Sequence, residues 1–354
     1  MTVRLWTATA LAAGLVSIAG AAGAAAPGKA WRAPRAADGH ADIGGLWTNV
    51  SMTPENRPAK FGARAAYTPE EVKAIESAAS KELDDANQNV ATDAPPPPKG
   101  GDTPPPGTRP EFVAAAGGTG GYDRGWLDPG NHVMRVRGEP RTSILTTPDG
   151  RAPKPRSGLT TPNPYAGGLG RFDNPEDRSL ADRCIVSFGR NGVPPMLANG
   201  FYNNNYQIVQ TPGEVAIVTE MVHDVRHIPI GGGHRTDGLR PWFGDSVGRW
   251  EGDTLVVETV NIPERQAYYG SWKDLKVTER FTRTSPHRLA YAFTVEDPSR
   301  WDQPWGGEYE FNTLDQPIYE YACHEGNHAL PGMLAGARAQ ERATAEGKTG
   351  KGAD

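Results

Sequence analysis

Short strand-like segments separated by turn residues constrain the fold of this chain most. Between residues 206 and 312, β-branched and apolar runs alternate with turn sequences such as Thr211-Pro212-Gly213, Gly252-Asp253 and Ser285-Pro286-His287. Short strands joined by tight turns pair antiparallel with their neighbours. Such a sheet tends to close or curl, because an exposed edge promotes aggregation. The sequence therefore predicts a mainly β fold, an antiparallel meander closing into a lipocalin-like barrel or half-barrel, with N-terminal irregular segments and a few short helices.

The first 24 residues have the pattern of a cleaved signal peptide. Arg4 precedes the apolar run Leu5 to Ile18, and Ala22-Gly23-Ala24 fits a cleavage site. The alternative is an N-terminal membrane anchor, but the run is shorter than the roughly 20 residues that a spanning helix needs. We therefore expect a periplasmic or secreted protein without an integral membrane segment.

Composition divides the remaining chain. Residues 25–121 are expected to form an N-terminal extension, with one helix that starts at a capping box from Thr68 to Glu71 and a Pro/Gly-rich linker over 91–121. Residues 122–342 are expected to form the β-rich domain, and 343–354 a disordered tail. The net charge of −5 and the lack of a basic patch argue against nucleic acid as a partner. The oligomeric state is not predicted.

The chain has two cysteines, Cys184 and Cys323. In an oxidising compartment such a pair is more often bridged than free, so we predict a disulfide. The alternative is a reactive thiol at Cys323, beside His324 and Glu325.

Polar and aromatic residues concentrate in five segments of the second half. These are YNNNYQIVQTPG (202–213), EMVHDVRHIP (220–229), WFGDSVGRWEGDTLVVET (242–259), ERFTR (279–283) and YEYACHEGN (319–327). The chain resembles, in these segments, a large family of uncharacterised secreted bacterial proteins. The resemblance covers about the last half of the chain. It implies a secreted location and transfers no mechanism.

Four titratable residues are the candidate catalytic groups. His223 is the expected acid or base, Asp224 its orienting partner, and Glu279 or His324 the second proton-transfer group. If the strand is continuous, His223 and Asp224 face opposite sides of it. Glu279 shares a strand face with apolar neighbours, so it lies on an exposed rim or inside a cavity, where it is an acid or base or the partner of an arginine inside the barrel.

The candidate ligand-binding residues lie in the same segments. Arg226 is expected to hold an anionic or phenolic oxygen, and the others are Tyr206, Asp245, Trp250 and Asn204. The aromatic density after residue 242 suits a small-molecule pocket, but it also suits a barrel core. The asparagine amides suit substrate hydroxyl groups and are also common in turns.

Cofactor motifs are missing from the sequence. It contains no dinucleotide fingerprint or phosphate loop, and we expect neither a cofactor nor a metal. His223, His227 and His324 would suit zinc or copper if the fold gathered them. These features predict a cofactor-independent lyase or hydrolase, with a lyase favoured, that uses acid–base chemistry on a small aromatic or oxygenated molecule. The alternative is a non-catalytic, lipocalin-like binding protein.

Overall fold

A computed structural model describes residues 31–86, 130–160, 172–187, 189–198 and 202–347. The strands are β1 (Gly45–Thr48), β2 (Arg135–Val136), β3 (Glu139–Pro140), β4 (Asn205–Gln210), β5 (Glu214–Thr219), β6 (Val225–Pro229), β7 (Asp245–Glu251), β8 (Thr254–Val260), β9 (Lys276–Ser285), β10 (Arg288–Glu296) and β11 (Trp305–Thr313). The α-helices are α1 (Pro69–Ala86) and α2 (Ala329–Ala345). The predicted signal peptide and the 91–121 linker lie outside the described residues.

One nine-stranded antiparallel sheet has the order β6-β5-β4-β1-β11-β10-β9-β8-β7. The prediction of a mainly β, antiparallel fold is therefore confirmed. Strand β1 lies between β4 and β11, so the sheet takes a strand from the predicted N-terminal extension, and the proposed boundary at residue 121 does not separate it. At the other end, α2 continues to Ala345, past the point where the disordered tail is predicted to begin.

The two outer strands of this sheet, β6 and β7, meet at a single point. Ile230 and Gly248 form an isolated parallel bridge, and the Gly231 N–H donates to the Gly248 carbonyl over 2.8 Å. A Cβ on Gly248 would lie 2.9 Å from Ile230 Cδ1 and 3.0 Å from Ile228 Cγ2, so glycine permits this approach. We call the junction of β6 and β7 the seam. No ladder continues along it between the described strands, and the closed barrel stays a prediction.

Alternation along the strands fills the buried face with large side chains. On β9, Val277, Glu279 and Phe281 are all buried, as the alternation predicts. The segment 189–198 packs on this face. The Met196 N–H donates to the Tyr291 hydroxyl over 2.8 Å, and the Tyr309 hydroxyl donates to the Met196 carbonyl over 2.9 Å. The sheet interior is therefore a packed core with polar groups inside it.

Helix α1 begins as its sequence predicts. The Glu71 N–H donates to Thr68 Oγ1 over 3.3 Å, and the Thr68 N–H donates to Glu71 Oε2 over 2.8 Å. This reciprocal pair is a capping box, which satisfies backbone donors that the first turn leaves unpaired. Val72 of this helix packs with Tyr67 and Val133 in a small separate cluster.

A disulfide joins Cys184 to Cys323, with Cα atoms 5.7 Å apart and a sequence separation of 139. The predicted disulfide is confirmed, and the free thiol at Cys323 is wrong, because its sulfur is bonded. The bridge ties the segment before α2 to the loop around residue 184. Within the described residues, no helix is long and apolar enough to cross a membrane.

Candidate functional site

Two of the most buried charged residues in the described part of the chain form an ion pair beneath the seam. Arg226 on β6 is 2% exposed and Glu279 on β9 is 0% exposed. Arg226 Nη1 donates to Glu279 Oε1 over 3.0 Å, and Nη2 donates to Oε2, so both carboxylate oxygens are engaged. A fork of this kind is the strongest arrangement that arginine makes with a carboxylate. Glu279 therefore takes the role of partner to an internal arginine, which was the sequence-based alternative for it.

Neighbouring hydroxyl groups also hydrogen-bond to Arg226 and to Glu279. Arg226 Nε donates to Ser246 Oγ over 3.0 Å, and Nη2 also donates to Thr259 Oγ1 over 2.9 Å. The Tyr291 hydroxyl donates to Glu279 Oε1 over 2.8 Å. A buried pair with its hydrogen bonds met in this way resists rearrangement. The arrangement favours a structural role for Glu279, and its catalytic role remains a sequence-based prediction.

A cleft of about 390 Å³ opens on the seam above Arg226. Its walls come from β6, β7 and the loop between them, with Val225, His227, Phe243 and Ser246 among the lining residues. The cleft therefore brings Arg226 and Asp245, two of the predicted ligand-binding residues, to one opening.

Two further predicted residues, Tyr206 and Asn204, lie in the core away from the seam. Both are buried, and the Asn191 amide connects them, donating to Asn204 Oδ1 over 2.9 Å and to the Tyr206 hydroxyl over 3.5 Å. Asn49 extends this group, because its amide donates to the Tyr309 hydroxyl over 3.1 Å. Burial raises the pKa of Tyr206 well above its usual value. These residues form an internal hydrogen-bonded row that fixes the core.

A second polar cluster surrounds Glu55, which precedes the buried Arg57 in the N-terminal segment. The Tyr268 hydroxyl donates to Glu55 Oε1 over 2.7 Å, and Tyr269 also hydrogen-bonds this carboxyl group. Burial raises the pKa of Glu55, and the two phenols together with Arg190 oppose that rise. Glu55 nevertheless keeps part of its surface accessible. It is thus a carboxyl group with a perturbed pKa at the edge of the core, which is a recognised sign of a functional site.

Arg190 connects the Glu55 cluster to the buried pair. Its guanidinium lies 4.6 Å from the centre of the Tyr268 ring, and its Nη1 donates to the Gln266 carbonyl over 3.0 Å. Burial lowers the pKa of Arg190 to about 10, while Glu55 and Glu279 act in the opposite direction. Arg190 therefore interacts electrostatically with both carboxylates.

Aromatic rings enclose the Glu55 cluster. Trp305 stacks on Tyr268 at 5.5 Å and meets Tyr269 edge-on at 5.6 Å, and Trp301 packs edge-on against Trp305 at 5.2 Å. The Asn56 amide donates to the Tyr269 hydroxyl over 2.5 Å. These contacts hold both phenols beside the carboxyl group.

The backbone of Tyr269 is strained. Its φ is +48°, and Gly270 follows with φ +78° inside a turn that is closed by hydrogen bonds between Tyr268 and Ser271. Asn, Asp or Gly usually occupies the first position of such a turn, since bulky residues rarely adopt positive φ. Strain of this kind concentrates at functional sites, and here it places a phenol against Glu55.

The structure separates the predicted pair His223 and Asp224 from Glu279. A 3-10 turn, Met221–His223, joins β5 to β6, with positive φ at Val222 and His223, so the strand that parity assumed is interrupted. His223 is exposed and contacts the Tyr321 carbonyl over 3.3 Å. Asp224 is buried and accepts from the Ser187 N–H over 3.0 Å. Burial raises the pKa of Asp224 to about 6.

The remaining histidines are not gathered. His324 is exposed beside the disulfide, and His227 is exposed on β6, where it pairs with Glu214. No group of three metal-ligating side chains occurs in the part of the chain that the structure describes. Within the same residues, no hydrogen bond connects His223 or His324 to Glu279. The four predicted catalytic groups thus do not share one hydrogen-bonded site.

Asp245 and Trp250 mark the two ends of β7. Asp245 lines the cleft and accepts from the Arg235 N–H over 2.7 Å, while His234 Nδ1 lies 3.0 Å from the same carboxylate. Trp250 stacks on His40 at 4.8 Å, away from the cleft. Asp245 is therefore placed at a possible ligand site, and Trp250 is packed against the N-terminal segment.

Sequence reasoning missed Glu55, Asn56 and Arg190. They come from irregular segments without periodicity, and only the paired aromatics Tyr268-Tyr269 gave a local signal. No protein-family model, curated protein or solved structure matches this chain. The resemblance to secreted bacterial proteins therefore remains a prediction, and functional inference depends on the site alone.

Proposed function

We propose that this protein is a cofactor-independent acid–base enzyme, a lyase in preference to a hydrolase, acting on a small aromatic or oxygenated molecule. The observation that carries the proposal is the Glu55 carboxyl group, whose pKa is raised by burial and which two phenols hold in place. A carboxyl group that stays protonated nearer to neutral pH can give a proton to a leaving oxygen and take it back from the next substrate.

The surroundings of Glu55 suit this role better than those of Glu279. Glu279 is fully enclosed and both of its oxygens are bound by Arg226, so it has neither access nor a free lone pair directed at solvent. Glu55 is partly accessible, and Tyr269 beside it is only partly buried. The half-buried ring of Tyr269 offers a planar substrate a stacking surface beside the carboxyl group.

The cellular setting and the closed shape belong to the same proposal. The disulfide supports an oxidising compartment, and the apolar N-terminal segment of the sequence supports export to the periplasm. The bridge between Ile230 and Gly248 supports a lipocalin-like barrel whose outer strands join at one end of the seam.

A non-catalytic binding protein is the second candidate. The seam cleft favours it, because about 390 Å³ lies within the range of small-molecule pockets, roughly 300–1,000 Å³. Binding and catalysis differ in what happens to the ligand, so one experiment separates them.

The test incubates purified protein with a metabolite extract from a strain that lacks it, followed by untargeted mass spectrometry. The wild type should consume one metabolite and release a product. Glu55→Gln keeps the shape and the acceptor for Tyr268 but cannot transfer a proton, so its rate should fall by about 100-fold or more. Glu264→Gln, an exposed substitution on the segment that leads to Tyr268, is the matched control and should behave as the wild type.

Three outcomes are informative. Loss of turnover in His223→Ala or His324→Ala, with Glu55→Gln active, would return the proton-transfer role to the predicted histidines and reject Glu55. A metabolite that co-elutes with the protein unchanged would identify a binding protein. If the extract is unaltered and nothing co-elutes, both candidates fail.

A further inference from the structure

The charges that line the seam cleft are already compensated. Arg226 binds Glu279, His227 pairs with Glu214, and Arg235 pairs with Asp237. The remaining lining carboxylate, Asp245, accepts from the Arg235 N–H and lies 3.0 Å from His234 Nδ1. A charged ligand would have to displace one of these partners. The cleft therefore offers a ligand backbone groups and apolar surface.

Strand β6 directs unpaired backbone groups into the cleft. The Ile230 N–H donates to the Gly213 carbonyl and the Thr219 N–H to the Asp224 carbonyl, so even-numbered residues of β6 bond to β5. The N–H and C=O groups of Val225 and His227 therefore point to the opposite edge. Pro229, which has no N–H, occupies the next position on that edge, where a ladder bond is not required.

Strand β7 presents the opposite wall in the same way. The Gly248 carbonyl accepts from Gly231 across the seam, so even-numbered residues of β7 direct their backbone groups toward β6. By alternation, the N–H and C=O of Ser246 also face the cleft. Between the described strands, no ladder occupies this gap beyond the bridge at Ile230 and Gly248.

Exposed apolar side chains lie on β6 and on the loop between β6 and β7. Val225 is 38% exposed, Leu239 is 58% exposed and Trp242 is 41% exposed. Val225 lines the cleft, and Trp242 precedes the lining residue Phe243 on the loop between β6 and β7. Solvent-exposed aromatic and aliphatic groups beside a cleft indicate a binding surface.

We propose that the seam cleft binds a short, uncharged, extended peptide segment with apolar side chains, which adds to the free edge of β6. An extended peptide carries donors and acceptors at the spacing of a strand edge, and its alternate side chains would meet Val225 and Phe243. The compensated charges favour a neutral segment over a free terminus. This site is separate from Glu55, so the inference does not depend on the proposed enzyme activity.

The first test measures binding of the blocked peptide acetyl-Val-Thr-Val-Thr-Val-amide by calorimetry. Two analogues carry N-methyl groups on residues 2 and 4, or on residues 1, 3 and 5. Because an N-methyl group removes a donor and crowds the edge, at least one analogue should bind about tenfold more weakly per lost hydrogen bond. Equal affinity for all three peptides, or no binding of the parent peptide at roughly 1 mM, would overturn the proposal.

The second test changes the protein edge. His227→Pro removes one outward N–H without touching the bonds between β6 and β5, and it should weaken the parent peptide by about tenfold. His227→Ala keeps the N–H and is the matched control, with affinity expected within about twofold of the wild type. Binding to His227→Pro at wild-type affinity would contradict the assignment. If His227→Pro does not fold, the N-methylated peptides still decide the question on the unmodified protein.

Discussion

Replacing Arg226 with methionine tests the buried ion pair most sharply. The change leaves Glu279 with no exposure and only the Tyr291 hydroxyl as donor, and it removes the donors that bind Ser246 and Thr259. Breaking one side of a buried pair costs about 3–5 kcal/mol, because the remaining charge is left without compensation. We expect Arg226→Met to lower the free energy of unfolding by that amount.

A double variant separates the effect of losing the ion pair from the effect of losing packing contacts. Arg226→Met with Glu279→Met removes both charges and should regain about 2 kcal/mol or more of the loss, since paired apolar replacements are often close to neutral. Urea unfolding followed by tryptophan fluorescence, with the disulfide intact, gives the free energies if the slopes agree. Arg249→Met is the control, because Arg249 forms an exposed pair with Glu251 and should cost about 1 kcal/mol or less.

Two results would show that the buried pair does not stabilise the fold. One is an Arg226→Met variant no less stable than the Arg249→Met control. The other is a double variant whose loss of unfolding free energy equals the sum of the losses in Arg226→Met and Glu279→Met. Such additivity would mean that the two charges do not interact.

Three further predictions concern separate parts of the molecule. Burial raises the pKa of Asp224 to about 6, so the stability that its protonated form contributes is present at acidic pH and is lost as the pH rises through about 6. The free energy of unfolding, measured by urea titration, should therefore decline between pH 4 and 7, and Asp224→Asn should remove roughly 2 kcal/mol of this decline. An equal decline in Asp224→Asn and the wild type would contradict this. Replacing Cys184 and Cys323 with serine should cost about 4–5 kcal/mol of unfolding free energy, given the 139-residue separation, and a loss below about 1 kcal/mol in urea unfolding would argue against it. Gly248→Ala should cost about 1–3 kcal/mol in the same assay, because the new Cβ would meet Ile230, whereas wild-type stability would mean that the seam yields freely.

Local sequence signals predicted the strands well. The turn residues Gly252-Asp253 lie between β7 and β8, and parity placed Glu279 on the same face of β9 as Val277 and Phe281. Both signals act over a few residues, because a turn type and a two-residue alternation need no distant partner. Closure of the sheet is different, since it depends on the meeting of β6 and β7 at Gly248.

The sequence did not indicate one turn and one polar cluster of the candidate site. The alternation pattern predicted a continuous strand through His223. Val222 and His223 instead adopt positive φ, which a sequence containing a β-branched residue does not indicate. Glu55, Arg190 and Tyr268 come together from three separate segments. Glu55 lies more than a hundred residues before the other two in sequence. Contacts of that range come from tertiary packing, and a single sequence contains no direct signal for them.

The titration of the Glu55 carboxyl group shows whether this residue can transfer a proton near neutral pH. Carbon-13 labelling of glutamate side chains, with Glu55→Gln used to assign the resonance, gives its pKa in the folded protein. We expect a pKa above the usual value of 4.5, and a further rise in Tyr268→Phe, because the lost phenol no longer stabilises the carboxylate. A midpoint at or below 4.5 in the wild type would contradict the assignment of Glu55 as the proton-transfer group.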